Sequence, residues 1–104
     1  MVMEDNWTDI WSPMHIACNV GWWRQVNWLI HFNHTEDINV AIGRPGGLTP
    51  LVLAAREGHF RIVKLIFPYV NNSRVKIQAM VFAGERGHHE IERYIYEQIF
   101  PFPA

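Results

Sequence analysis

Six histidines, one cysteine and a scatter of carboxylates are the side chains of this chain that could do chemistry. His31 and His34 are three apart, close enough to share a helix face or a loop, as a pair of metal ligands would. No cysteine or carboxylate at zinc-site spacing completes that pair. His15 and Cys18 are also three apart and would put an imidazole and a thiol on one helical turn, the minimum for a base-activated nucleophile. Gly43-Arg44-Pro45-Gly46-Gly47 is Gly-rich, but it lacks the Lys-Ser/Thr that a phosphate cradle requires. G-x-S-x-G, P-loop and dinucleotide fingerprints are missing. The chain is therefore read as non-enzymatic, with no catalytic, cofactor-binding or metal residues.

Composition narrows the reading further. Of 104 residues 49% are hydrophobic and 13% aromatic, enough for one packed core and too rich for a disordered chain. Nine basic against ten acidic residues give a net charge of −1, which supplies no electrostatic footprint for nucleic acid. A single cysteine cannot form an intrachain disulfide, so a reducing, intracellular compartment (cytoplasmic or nuclear) is expected. Glu4 and Asp5 stand where a signal peptide would be basic, and no apolar run approaches the ~20 residues that span a bilayer. Three N-x-S/T sequons, at Asn6, Asn33 and Asn71, are accordingly read as chance occurrences in Asn-rich loops.

These side chains have to be positioned by something, and the segment Thr49 to Ile66 says what. Thr49-Pro50 is a sound helix start, because the hydroxyl can accept from an orphan N–H and Pro at the first helical position loses no needed donor. Gly58 then ends the first helix and Ile62, Val63, Leu65 and Ile66 give a second helix one apolar face. A helix pair this short cannot bury that face alone, so similar neighbours should stack on it. Two weaker copies exist. Ser12 to Ile30 aligns at an offset of 37, matching Ala17 to Ala54, Gly21 to Gly58 and Val26 to Val63. Gln78 to Ile95 aligns at 29, matching Ala83 to Ala54, Gly87 to Gly58, His88 to His59 and Ile91 to Ile62.

The string T-P-L-x-L-A-A-x-x-G-H at Thr49–His59 closely resembles the ankyrin repeat, and the two offsets average that family's period of 33. Asp37-Ile38-Asn39-Val40-Ala41 is similar to the family's D-V-N-A segment, which leads into a β-turn finger. The resemblance covers roughly residues 8–99. It implies an all-α solenoid of about three helix-turn-helix repeats with short finger loops, as one domain over 1–104: repeats at about 8–42, 45–73 and 74–100, then a tail at 101–104. The third repeat lacks a finger motif, and its inner helix is expected to start weakly at Gln78-Ala79.

The resemblance also assigns roles to the side chains first considered. His59 and His88 take the family's G-H position, with a structural hydrogen-bonding role, and His15 fits the T-P-L-H version of the inner helix. Cys18 falls at a usually apolar position, so a buried, inert thiol is expected. Asn39 takes a position that some family members present for hydroxylation; its expected role is bonding within the loop. Trp23 and Trp28 align with Phe60 and Leu65 and are expected in the core, with Trp22 partly exposed. Met1, Met3, Trp7, Ile10 and Trp11 would fold over the first repeat's open end, and the Phe residues of 100–104 over the other. Glu92 at the position of Val63 suits a last repeat.

Family members hold partners with finger tips and the exposed ends of inner helices. Carried over position by position, this picks out Asp9, Trp11, Asn19, Val20 and Trp22 in the first copy. The second copy contributes Arg44, Pro45, Leu48, Arg56 and Glu57, and the third Arg74, Val75, Ile77, Glu85 and Arg86. Trp11 is the preferred anchor, since exposed Trp is enriched at binding hot spots, with packing across the repeat end as the alternative. The expected function is a protein–protein interaction module (adaptor, inhibitor or competitor), monomeric and without nucleic-acid, membrane or cofactor partners. The second reading is a self-associating structural protein using a Trp/Met-rich repeat end.

Overall fold

A computed structural model describes residues 7–101. Three helix pairs follow one another: α1 (Pro13–Val20) with α2 (Trp23–His31), α3 (Pro50–Glu57) with α4 (Phe60–Ile66), and α5 (Ser73–Glu85) with α6 (His89–Ile99). The first helices form an inner row, α1 on α3 and α3 on α5, and the second helices an outer row, α2 on α4 and α4 on α6. Each pair opens as its sequence dictates. Ser12 accepts from the His15 N–H and Thr49 from the Val52 N–H, with Pro at the first helical position of both helices. Gly21, Gly58 and Gly87 turn the chain between paired helices at φ of 97°, 84° and 82°, where an L side chain is strained.

The core lies between the two rows. Leu51 to Ala55 of α3 are fully buried, as are Ala17, Val26, Ile66, Ala83 and Ile95. Alanine lets the inner helices approach closely, and the larger aliphatic side chains each contribute about 1.5–3 kcal/mol by leaving water. Connecting the first two pairs, a 3₁₀ turn at Glu36–Asn39 leads into β2 (Ala41–Ile42). Ile42 then bridges back to Leu48, closing the expected finger. Its tip is a type II turn: Pro45 takes the second position, Gly46 the third at φ 75°, and the Gly47 N–H donates to the Arg44 carbonyl at 2.9 Å. β2 also pairs in parallel with β1 (Trp7–Thr8), so the segment before the first helix pair is tied to the finger of the second.

Three expectations are corrected. The third inner helix does not start at Gln78-Ala79. α5 begins at Ser73 with the Asn72 side chain accepting from the Arg74 N–H at 2.8 Å, and Gln78 lies well inside it. An Asn cap followed by a run free of Gly and Pro lets the helix grow back through the residues that elsewhere form a finger. Arg74, Val75 and Ile77 therefore stand on a helix and not on a finger loop. Trp28 is not core: it is 51% exposed, because among the described residues no helix pair precedes the first to cover the position that Leu65 half-buries in the second. Trp23 is half-buried against the core, Trp7, Ile10 and Trp11 are exposed, and Phe100 rests on Tyr96 with ring centroids 5.1 Å apart. Met1, Met3 and Phe102 lie outside the described residues.

Candidate functional site

The ends of the inner helices are locked together by a repeated device. The His59 imidazole donates from Nε2 to the Asn19 carbonyl at 3.1 Å, and His88 does the same to the Arg56 carbonyl at 3.1 Å. Each ring lies over the turn glycine of the preceding pair. A Cβ on Gly21 or Gly58 would come within 2.7 Å of the imidazole of His59 or His88. Histidine reaches the carbonyl and glycine leaves it room, so the surface formed by Asn19, Arg56 and their neighbours is held before any partner arrives.

On that surface Arg56 is the hub. Its Nη2 donates to Asn19 Oδ1 at 3.4 Å and its Nε to Glu57 Oε2 at 3.0 Å, joining residues of two repeats in one polar cluster. Val20, next to Asn19 in the chain, is exposed, and Trp22, which takes the histidine position in the first pair, is 55% exposed. At the other end of α1, Trp11 is exposed with one edge against His15, ring centroids 6.5 Å apart, and Asp9 and Ile10 are exposed ahead of it. Arg44 and Pro45 occupy the finger tip. Leu48 and Val75 are half-buried against the core, so they offer less surface. Arg74 and Ile77 are exposed on α5, and Glu85 and Arg86 are exposed at its end.

His15 explains how Trp11 is held. The imidazole is fully buried; its Nε2 lies 2.7 Å from the Val40 carbonyl, so that nitrogen carries the proton, and Nδ1 lies 2.7 Å from the Ser12 hydroxyl. Burial lowers its pKa, while the Val40 hydrogen bond and the charge of Asp37 pull the other way. Both ring nitrogens are thus engaged, and burial pushes the Cys18 thiol up to about 12. Such a thiol is a small hydrophobe and no nucleophile, which removes the chemistry that the His15/Cys18 spacing suggested. Among the described residues no three His, Cys, Asp or Glu side chains converge as a metal site would need. No helix among them is long and apolar enough to cross a membrane.

Asn39 ties the second connection to the first. Its side chain donates to the Tyr69 carbonyl at 3.0 Å and accepts from the Asn71 N–H at 3.1 Å. Beside it, Gln78 donates to the Gly46 carbonyl at 3.2 Å, so α5 reaches the finger that its own repeat lacks.

A helix pair repeated three times, joined through Gly and His and carrying one finger, is also what sequence comparison finds. A family model described as Ankyrin repeats (3 copies) matches residues 2–79. The chain belongs to the ankyrin repeat family. A search of curated proteins returned no match. Ankyrin repeats are in general protein–protein interaction modules and typically non-enzymatic. The match ends inside α5, the stretch where this ankyrin chain replaces a finger with helix.

Two features of the ankyrin surface were missed from sequence. One is the exposure of Ile10, which was expected to fold over the first repeat's open end and is 74% exposed. The other is the outer row's cation–π contacts: the Arg61 guanidinium sits 3.5 Å from the Trp23 ring centroid, with Arg24 at 5.2 Å. The Arg61 pair joins different repeats, and one repeat's periodicity does not report it.

Proposed function

We propose that this ankyrin chain is a non-enzymatic, intracellular interaction module that binds a protein partner through its finger and the concave inner-helix surface. The observation that carries the reading is the Asn19–Arg56–Glu57 cluster, prearranged across two repeats and flanked by exposed Val20 and Trp22. Apolar anchors beside a fixed polar hub suit a folded protein or peptide, because a preformed surface loses little entropy on binding. Trp11 is the leading anchor, with Asp9, Arg44 and Pro45 at the rim. Arg74, Ile77, Glu85 and Arg86 would extend the surface onto the third repeat, with Leu48 and Val75 as its half-buried support. Such a module acts as an adaptor, or as an inhibitor or competitor that occupies a partner's surface.

Affinity capture from lysate with the wild type, Trp11→Ala, Arg56→Ala and the outer-helix control Lys64→Ala tests this. The expected result is a protein retained by the wild type and Lys64→Ala and lost with Trp11→Ala and Arg56→Ala. Retention by all four, or loss only with Lys64→Ala, overturns it.

A further inference from the structure

The last described helix pair carries the fittings of an internal repeat. Gly87 keeps the left-handed conformation at φ 82°, yet nothing lies within 4 Å of where its Cβ would be, the space that an imidazole fills over Gly21 and Gly58. Val81 stands at the position of Val52, which is fully buried in the core, but is itself 47% exposed. Tyr96 stands at the position of Phe67 and is 52% exposed, against 8% for Phe67.

The first pair carries the complementary set, in the same register. Trp28 occupies the position of Tyr94, whose ring packs edge-on against Phe60 and Phe67 of the preceding pair, at centroid distances of 5.6 and 5.8 Å. Arg24 occupies the position of Arg61, which covers Trp23 of the preceding pair. In the last pair the residue equivalent to Trp23 is His89, ion-paired with Glu92 at 3.0 Å with Glu90 adjacent, so an incoming Arg24 would meet acidic side chains. Trp22, in the histidine position, would meet the open Gly87.

We propose that a second copy of the chain docks head to tail, its α1/α2 pair stacking on the α5/α6 pair of the first in the register of the internal junctions. Trp28 packs onto Tyr96, Arg24 approaches Glu90 and Glu92, and Val81 is covered as Val52 is. This end-on surface shares Trp22 with the concave one; Trp28, Arg24, Val81 and Tyr96 belong to the end alone. The contact is heterologous, so every added copy presents a fresh end and growth does not close at two.

Sedimentation velocity over a concentration series tests this with wild type, Trp28→Glu and Val81→Lys. The wild-type weight-average mass is expected to climb past two chains, while each variant alone stays at one. An equimolar mixture of the two variants should reach two chains and stop, because each supplies the face that the other lacks. Circular dichroism checks folding, and Arg24→Glu and Tyr96→Lys replace any variant that fails it. A wild type that stays monomeric at the highest concentration overturns the proposal. So does self-association abolished by only one variant, or a mixture that does not pair, since both would mean that like ends meet.

Discussion

Gly58→Ala against Gly87→Ala measures how tightly the repeats are interlocked. Both glycines sit at nearly the same backbone geometry, φ 84° and 82°, so both substitutions carry the same left-handed strain of about 1–2 kcal/mol. Both also stiffen the unfolded chain equally, an offsetting gain of about 0.4–1 kcal/mol. Their surroundings differ. A Cβ on Gly58 would lie 2.7 Å from Cε1 of His88 and 2.9 and 3.0 Å from its two nitrogens, whereas a Cβ on Gly87 meets nothing within 4 Å. The His88 ring must swing away and give up its bond to the Arg56 carbonyl, a further cost of about 1–2 kcal/mol with the packing it loses. Gly58→Ala should therefore melt roughly 5–15 °C below Gly87→Ala, taking about 4–8 °C per kcal/mol for a chain of this size. Urea denaturation followed by circular dichroism gives the free energies. In a His88→Ala background the penalty at position 58 should fall to that at 87, because the obstructing ring is gone. Equal costs at 58 and 87, or a cost at 58 that ignores the state of residue 88, would refute the interlock.

Other consequences are more local. The folded chain holds His15 below its usual value of 6.5, so the unfolded chain takes up a proton first as pH falls. Stability should therefore decline as pH drops through and below 6.5, by up to about 1.4 kcal/mol per pH unit for this one site, and His15→Gln should flatten that slope; superimposable pH profiles of the two proteins count against it. The Cys18 thiol, buried with its pKa raised to about 12, should resist Ellman's reagent in the folded chain and react promptly in denaturant. Prompt reaction without denaturant contradicts the burial. Asn39→Ala removes two hydrogen bonds to the second connection and should cost about 1–3 kcal/mol, with faster amide exchange at Asn71 than in Gly87→Ala. Unchanged exchange there would mean that the bridge does not hold the connection.

The helix pairs were legible wherever chemistry repeats at a fixed place. Ser12-Pro13 and Thr49-Pro50 announce helix starts, and the three turn glycines are spaced by repeats, so the scaffold follows from local capping and turn rules. The finger was legible for the same reason, since Pro45-Gly46 is turn chemistry. Beyond residue 71 the local rule misled. A repeat alignment placed the helix start at Gln78, but a helix begins where its cap and composition allow, and Asn72 followed by six residues without Gly or Pro before Ala79 outweighed the register. Of the candidate surface, the ends of the inner helices were legible because Gly fixes where a helix stops. The links between them were not: Arg56 to Asn19 and Arg61 to Trp23 join residues 37 and 38 apart, and no periodicity within one repeat encodes such pairs.

The misplacement of Trp28 carries the general lesson about this stack. Alignment gave it the role of Leu65, and in residue type the match was sound, since both are large and apolar. A repeat position does not own its burial, however; the neighbour supplies it. Val52 and Val81 are the same residue at the same position, and one is fully buried while the other is 47% exposed: α5 packs on α3, and among the described residues no helix pair follows α5 and α6. Most positions lost to water in this way tolerate a polar residue, and Glu92 in place of Val63 is such a case. Trp28, Val81 and Tyr96 are not: they keep the apolar types that an internal junction would use, at both ends of the same stack. Trp28 and Tyr96 stay half-exposed even with Phe32 and His34 against the first and Phe100 against the second, and each stands at a position that an internal junction fills. That is why the ends, as well as the concave face, are where substitutions should be made first.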